Sequence, residues 1–217
     1  MDFPLDRDSF MGALKIASMS MAPSDNLIST ALGDGTVLDD QLGERHWGGT
    51  VMVQRGSTSD MRRQKALMNI VRTAGATFLA YDTSANYPLS DPLGFVLGSA
   101  AVTLNSVAAD GTALSLAGLP VGYALTLGDH LGFQYGSDPV RFALHEVAEL
   151  TVLADGSGVT PEFKVTGPVR PGAQIGAAVD LVRACCKAKI VPGSYRPSVM
   201  LPAGGEGFSF SFIQTTR

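Results

Sequence analysis

Charged side chains are scarce in this sequence. They make up 17% of its 217 residues, against roughly 25% in an average soluble domain. A lone molecule with so little surface charge disperses poorly in water, so we expect much of its surface to be buried against partner proteins. The formal net charge of −4 argues against a surface that coats nucleic acid, because such a surface needs a basic excess to displace counterions. We therefore expect no sequence-specific nucleic-acid partner.

Cysteines and long apolar runs are also few. The two cysteines, Cys185 and Cys186, are neighbours; a bond between them would be strained, so no disulfide framework is expected. We interpret them as small core or interface residues and not as a redox pair. No apolar run approaches the roughly 20 residues that cross a bilayer, and Met1 to Arg7 lack the basic and apolar regions of a secretory signal. The expectation is a soluble protein made in a cytoplasm, without membrane insertion.

Reactive side chains do not form a recognisable catalytic pattern. His145 begins the segment His-Glu-Val-Ala-Glu, but a zinc-protease helix needs a second histidine four residues later, where this chain has Glu149. Asp129 and His130 follow a glycine, and a glycine-aspartate turn between two strands explains them more simply than an acid–base pair. A hydrolase that uses His145 and Glu146 is the enzymatic alternative.

The glycine-rich segment Gly204–Gly207 is not a phosphate loop. It lacks the lysine and the hydroxyl residue that such a loop needs, and a strand-like segment follows it instead of a helix. We predict a hinge there. We also predict that the protein is not an enzyme and has no catalytic residues, no cofactor site and no metal site.

The clearest organised stretch is a strand, a helix and a strand between Gly48 and Asp82. Ser57 and Asp60 form a capping box, which marks the start of a helix. The predicted buried face of the helix recurs at i, i+3, i+4 and i+7: Leu67, Ile70, Val71 and Ala74.

Basic residues lie mostly away from that predicted buried face. We call this set the basic helix face: Arg62, Arg63, Lys65 and Arg72. A solvated surface is the simpler interpretation. The functional interpretation is charge complementarity, in which this face meets Asp39 and Asp40 of a neighbouring copy in a homo-oligomeric ring.

Short β-like runs make up most of the remaining chain. A hairpin is predicted around Gly33–Gly35, because Asp-Gly supplies the positive φ angles of a tight turn. From Val102 to Ala184, six or seven short strands at roughly 8–12-residue spacing are typical of a small antiparallel barrel or sandwich. The stretch Ala173–Lys189 can also be drawn as a helix, but its apolar residues do not keep a 3.6-residue period, which favours strand.

A regular aromatic strand pattern stands near the end of the sequence. Phe208, Phe210 and Phe212 alternate with serines, as in a strand with one buried face. Such a strand needs a sheet to complete, and the sheet covered by the helix is the natural one. We therefore predict a discontinuous domain, residues 1–94 with 192–217, and an inserted β-barrel domain, residues 95–191. Met1–Met11 is irregular and is predicted to be an arm that rests on a neighbouring copy or stays mobile.

Several motifs follow one another in an order known from one protein family. The first group is Trp47, the helix through Arg72, Gly75, Phe78, Asp82 and Pro88; the second is Leu127-Gly128-Asp129, Asp155-Gly156-Ser157-Gly158, Pro168-Val169-Arg170-Pro171 and the strand Phe208–Phe212. In this order and spacing, the chain resembles the distal tail protein and related minor tail proteins of long-tailed bacteriophages. The likeness covers most of Trp47–Arg217.

The resemblance implies a fold and a structural role. The fold would be mainly β: a tail-tube-like β-sandwich with one flanking α-helix, plus an inserted small antiparallel β-barrel. Six copies would form a ring in the virion that connects the tail tube to the baseplate or tip hub and leaves a channel for DNA. The implied partners are further copies of the chain, the tail tube protein, the tip hub or baseplate protein and the tape measure protein, in a phage tail assembled in the host cytoplasm.

A host-surface glycan-binding tail module is the alternative function. In that interpretation the inserted barrel recognises sugars, and Tyr123, Phe133 and Tyr135 are the candidate stacking platforms. Tyrosines on strands more often pack in a core or at its rim.

Overall fold

The chain is mainly β, as predicted. The computed structural model describes residues 2–202 and 204–216. Strands hold 39% of the residues and helix 7%. The strands are β1 (Ile16–Pro23), β2 (Leu27–Ala31), β3 (Val37–Gln41), β4 (Trp47–Val53), β5 (Phe78–Tyr81), β6 (Thr103–Val107), β7 (Ala113–Ala117), β8 (Ala124–Thr126), β9 (His130–Tyr135), β10 (Arg141–Glu146), β11 (Thr151–Leu153), β12 (Phe163–Lys164), β13 (Val179–Asp180), β14 (Cys185–Ile190), β15 (Met200–Leu201), β16 (Gly204–Gly205) and β17 (Ser209–Gln214). The one α-helix of the described residues, α1, spans Thr58–Val71. No helix in the described part of the chain is both long and apolar enough to span a membrane.

A five-stranded sheet brings together the two ends of the chain. Its order is β1-β4-β17-β14-β5, every neighbouring pair is antiparallel, and the sheet curls into a half-barrel. The predicted aromatic strand, β17, lies between β4 and β14. Phe210 and Phe212 are buried, while Ser209 and Ser211 on the other face are only partly covered. The predicted alternation is therefore confirmed.

Helix α1 packs against this sheet and begins where the capping box predicts. Ser57 is the N-cap, and its Oγ accepts the amide of Asp60 at 3.2 Å. The predicted buried face is wrong in part. The fully buried side chains are Met61, Gln64, Met68 and Val71, while Leu67 is only partly buried against the core. The buried glutamine is a polar residue on a face where the sequence pattern expects apolar ones. Ala74 is exposed, since the helix ends at Val71.

Two hydrophobic clusters contain most of the buried side chains. The first lies between α1 and the five-stranded sheet, and the second lies among the small sheets of residues 97–181. Strand β14 pairs with β5 and β17, so Cys185–Ile190 belong to the first sheet, although the predicted insertion ran to residue 191. Arg183 has a φ of 48° between β13 and β14, a bend that no glycine or proline indicates. The division into two domains itself stays a prediction.

The second cluster is surrounded by small antiparallel sheets. Their orders are β10-β9-β13, β12-β7-β6 and β11-β8. Isolated bridges join Thr103 to Ala178 and Val147 to Val165. Strand pairing therefore continues from one three-stranded sheet to the other at two places, and the predicted strand character of residues 178–184 is confirmed for Val179–Asp180.

The amino-terminal segment packs on its own chain, which corrects the predicted arm. Leu5, Phe10 and Met11 are buried in the first cluster, and Leu5 pairs with Phe78 along the edge strand β5. Arg7 forms an ion pair with Asp180 at 3.2 Å. The residues that hold this segment make isolated contacts and do not recur with the period of a strand or a helix. The sequence of the segment therefore looks irregular. Met1 lies outside the described residues.

The glycine-rich segment is fixed in place and does not form the predicted hinge. Gly205 exchanges two backbone hydrogen bonds with Gly56, at 3.0 and 3.1 Å. A Cβ on Gly204 would lie 2.6 Å from the carbonyl oxygen of Gly56, and a Cβ on Gly207 would lie 2.0 Å from that of Val53. Glycine is required here because two backbones approach each other closely.

Phe210 provides a test of this packing. Its side chain is fully buried, so Phe210→Ala should leave a cavity and lower the free energy of unfolding by about 3–5 kcal/mol. The measurement is urea denaturation followed by circular dichroism. Ser209→Ala, on the same strand but facing away, is the matched control and should change the free energy by less than about 0.5 kcal/mol. Equal losses in the two variants would show that the aromatic face of β17 is not in the core.

Candidate interaction surface

Asp129 has a structural position. Its carboxylate accepts the backbone amides of Leu89 and Thr126, both at 2.7 Å, and its residue is buried. A carboxylate that accepts two backbone amides holds the backbone of a turn in place. This agrees with the interpretation of Asp129 as part of a turn between strands.

The two candidate histidines are buried in separate contacts. Nδ1 of His145 lies 3.2 Å from the carbonyl oxygen of Thr166, whereas His130 packs edge-on against Trp47. Burial lowers the pKa of both imidazoles, because it desolvates their charged forms. His145 and Glu146 are adjacent on β10 and point to opposite faces, so the structure does not bring them together on a substrate.

The cysteines behave as core residues. Both are free and buried, in the first hydrophobic cluster. Burial raises the pKa of Cys185 to about 11 and raises the pKa of Cys186 further, which disfavours the reactive thiolate. Across residues 2–202 and 204–216, no group of three or more His, Cys, Asp or Glu side chains is arranged to hold a metal ion.

The predicted glycan-stacking platforms are wrong. Tyr123, Phe133 and Tyr135 are only 3% to 5% exposed and belong to the second hydrophobic cluster. A sugar ring cannot reach side chains that pack in a core. The sequence left both core packing and sugar stacking open, because alternation along a strand gives the period of burial but not which face is inside.

The junction between the two clusters encloses only a small cavity. Its volume is about 50 Å³, and its lining includes Trp47, His145 and Arg170. Pockets for small organic ligands usually measure roughly 300–1,000 Å³. This cavity is therefore too small for such a ligand.

The hairpin of β2 and β3 stands apart from the other strands that the structure describes. We call residues 26–43 the free hairpin. Every residue of its two strands is exposed. Its large apolar side chains are between 44% and 61% exposed: Leu27, Ile28, Leu32, Val37, Leu38 and Leu42. Because an isolated two-stranded hairpin is marginal in water, covering these side chains with another molecule would stabilise it.

Hydrogen bonds hold the free hairpin only to itself and its base. In the described chain, the hydrogen bonds of residues 26–43 all end within residues 26–44. The base is well anchored, since Glu44 forms an ion pair with Arg170 at 2.6 Å and Asp25 forms one with Arg45 at 3.1 Å. The hairpin is therefore held at its base by ion pairs, and beyond its base it makes hydrogen bonds only within itself.

The free hairpin is acidic on both faces. It contains Asp34, Asp39 and Asp40 and no basic residue. Asp39 lies opposite Ser29 and accepts its hydroxyl, while Asp40 lies opposite Ile28. Adjacent strand residues point to opposite faces, so each face of the hairpin combines a carboxylate with apolar side chains.

The basic helix face is exposed, and Arg63 attracts the carboxylate of Asp60 without forming a close ion pair with it. In the part of the chain that the structure describes, none of its four members forms an ion pair. Asp60, in the first turn, is paired instead with Lys15 at 2.8 Å. Arg72 lies over the ring of Tyr195, 4.6 Å from its centroid. Arg62 and Lys65, at i and i+3, are neighbours on the helix surface.

The free hairpin and helix α1 are connected to opposite ends of the β1–β4 strand pair. Strands β1 and β4 pair from Pro23↔Trp47, at the hairpin, to Ile16↔Val53, near the start of α1. Strand β4 has 7 residues, which corresponds to about 20 Å at roughly 3.3 Å per residue. The two charged surfaces of one molecule are thus kept apart by the length of this ladder.

No protein-family model matches the chain, and no curated protein matches it. We therefore infer the function of the protein from the surfaces described above.

The buried histidines predict a loss of stability in mild acid. The folded-state pKa of each lies below the unfolded value of 6.5, so below that pH the unfolded chain binds more protons than the folded one. The stabilisation present above pH 6.5 is therefore lost as the pH falls towards the folded-state values.

Urea denaturation between about pH 7.5 and pH 5 measures this effect, since carboxylates titrate mainly below that range. His145→Gln and His130→Gln should each flatten the dependence of the free energy of unfolding on pH, and the double variant should flatten it most. The same variants compared above pH 7.5 are the control, because an imidazole takes up no proton there in either the folded or the unfolded state. A double variant with the native slope would refute the assignment.

Proposed function

We propose that this protein is a structural subunit that assembles with copies of itself into a closed ring. The role is that of a distal tail protein of a long-tailed bacteriophage: six copies connect the tail tube to the baseplate or tip hub and leave a channel for DNA. The further partners in this proposal are the tail tube, hub and tape measure proteins, and the location is the phage tail. The free hairpin is the observation that carries the proposal, because its apolar side chains need a cover that its own chain does not supply.

An open strand edge supports self-assembly. Strand β1 forms one edge of the five-stranded sheet, and no other strand in the described ranges pairs along its outer side. The opposite edge, β5, is partly covered by the pairing of Leu5 with Phe78. Unpaired strand edges are templates for association. A contact that uses different surfaces on its two sides closes into a ring when the rotation between copies fits.

The finer architecture belongs to the same proposal. The five-stranded sheet, the free hairpin and α1 supply the parts of a tail-tube-like β-sandwich with one flanking helix. The inserted β-barrel is supported by the sheets around the second cluster, whose pairing continues through the bridges Thr103–Ala178 and Val147–Val165. Such a role requires positioned strands and no reactive group.

Removing the free hairpin tests the proposal. Residues 27–42 are replaced by a two-residue Asn-Gly turn, which suits a short connection between antiparallel strands. The native protein should sediment as a ring of about six copies, and the shortened protein should sediment as a monomer that still unfolds in a cooperative urea transition. Analytical ultracentrifugation gives the copy number.

A second variant controls for a general loss of apolar surface. Val121 and Leu150 are 73% and 81% exposed and lie outside the hairpin, so Val121→Ser with Leu150→Ser should leave the ring intact. A native protein that stays monomeric at its highest soluble concentration would overturn the proposal, and so would a ring that persists without the hairpin.

A further inference from the structure

The described residues include two oppositely charged surfaces that form no ion pair with each other. The free hairpin contributes three carboxylates and no base. The basic helix face contributes four cations, none in an ion pair within the described residues. Arg55, exposed just before the helix, adds another cation without an ion pair there. Such a pair of surfaces is complementary in charge.

We propose that the free hairpin of one copy docks on the basic helix face of an adjacent copy, with the hairpin face that carries Asp40 opposite Arg62 and Lys65. The proposal rests on the self-assembly argued above and adds which surfaces meet. Within one molecule the contact is prevented, because the hairpin and the helix leave opposite ends of the β1–β4 ladder. A second copy can bring the two surfaces together.

Apolar surface lies beside the start of the helix as well. Met200 and Leu201 are 48% and 50% exposed, and Arg55, Leu201 and Gly205 line an open groove of about 490 Å³. The apolar side chains of the hairpin therefore have apolar surface to cover next to the cations. Glu206 lines the same groove, and its carboxylate would repel the carboxylates of the hairpin. The proposed ion pairs therefore lie on the helix side of the contact.

The contact is directional. Each copy gives its hairpin to one neighbour and receives the hairpin of another on its helix, so no copy is complete alone. A contact of this kind propagates, and it forms a ring only when successive rotations close. Exposed ion pairs are screened by salt over about 10 Å at 0.1 M ionic strength, so the association should weaken as sodium chloride is added.

Charge exchange tests the contact directly. Asp39→Lys with Asp40→Lys, and separately Arg62→Glu with Lys65→Glu, should each raise the dissociation constant of self-association about tenfold or more, because like charges then face each other. Combining all four changes should restore association to within about threefold of the native protein. Sedimentation velocity at low salt measures association, and circular dichroism confirms that each variant is folded.

A matched control separates the contact from an effect of net charge. Lys164 and Arg196 are exposed, lie outside both surfaces and have no ion pair in the described chain. Combining Lys164→Glu and Arg196→Glu with the hairpin double variant gives the same net charge as the four-change protein. It should not restore association, and restoration would overturn the proposed contact.

Cysteine cross-linking gives a second readout that does not depend on charge reversal. Asp40→Cys with Lys65→Cys should form disulfide-linked multimers under a mild copper oxidant, whereas Asp40→Cys with Lys164→Cys should not. The native cysteines are buried and should not contribute. Native assembly that is unaffected by the charge variants and gives no cross-link would overturn the hairpin–helix contact while leaving the proposed ring in place. A monomeric native protein would overturn both.

Discussion

The pairing of β17 with β4 and β14 is the interaction on which the rest of the structure depends. Without β17, the five-stranded sheet would separate into β1 with β4 and β14 with β5. The fit is close: a Cβ on Gly49 would lie 2.9 Å from the ring of Phe212, so glycine on β4 makes room for the aromatic side chain on β17. Because β17 is near the end of the chain and β4 is near its start, this pairing links segments far apart in sequence. Residues 97–181 lie in sequence between β5 and β14, which are neighbours in the same sheet.

Pairing on both sides of β4 also decides where the two charged surfaces lie. Since β1 and β17 occupy both edges of this strand, its connections leave only from its ends, the hairpin at Trp47 and the helix beyond Val53. A twofold dimer would need each hairpin to reach the helix of the same partner at the same time, and here the two surfaces leave opposite ends of the β1–β4 ladder. The proposed contact therefore passes in one direction from copy to copy. The exposed apolar side chains of the hairpin agree, because such patches mark interaction sites in soluble proteins.

Local signals in the sequence were sufficient for the elements that local chemistry determines. The Ser57 cap, the Asp-Gly hairpin and the alternating phenylalanines were all recognised because each is encoded within a few residues. The errors arose where distant contacts decide. Gln64 is buried in the helix face by the sheet below it, Phe10 is buried without any periodic neighbour, and Tyr135 faces inward because of strands that follow much later. The hairpin was predicted, but not that it stands free. A signal was present, since Leu27 with Ile28 and Val37 with Leu38 place apolar residues on both faces, leaving no polar face for solvent.

The scarcity of charge gains meaning from where the charges lie. Several ionisable groups are used inside: Asp129 fixes a turn, and Lys187 is buried with its Nζ donating to the carbonyl oxygen of Val140 at 3.2 Å, where burial lowers the pKa of its ammonium. Fewer charged side chains remain for the surface. Those of the free hairpin are all acidic, and those on the exposed side of the helix are mainly basic. At physiological salt, charges separated by about 20 Å hardly interact, because screening acts over about 8 Å. Opposite charges at the two ends of one ladder therefore do little for a single molecule, whereas the same charges in contact between copies attract each other at short range.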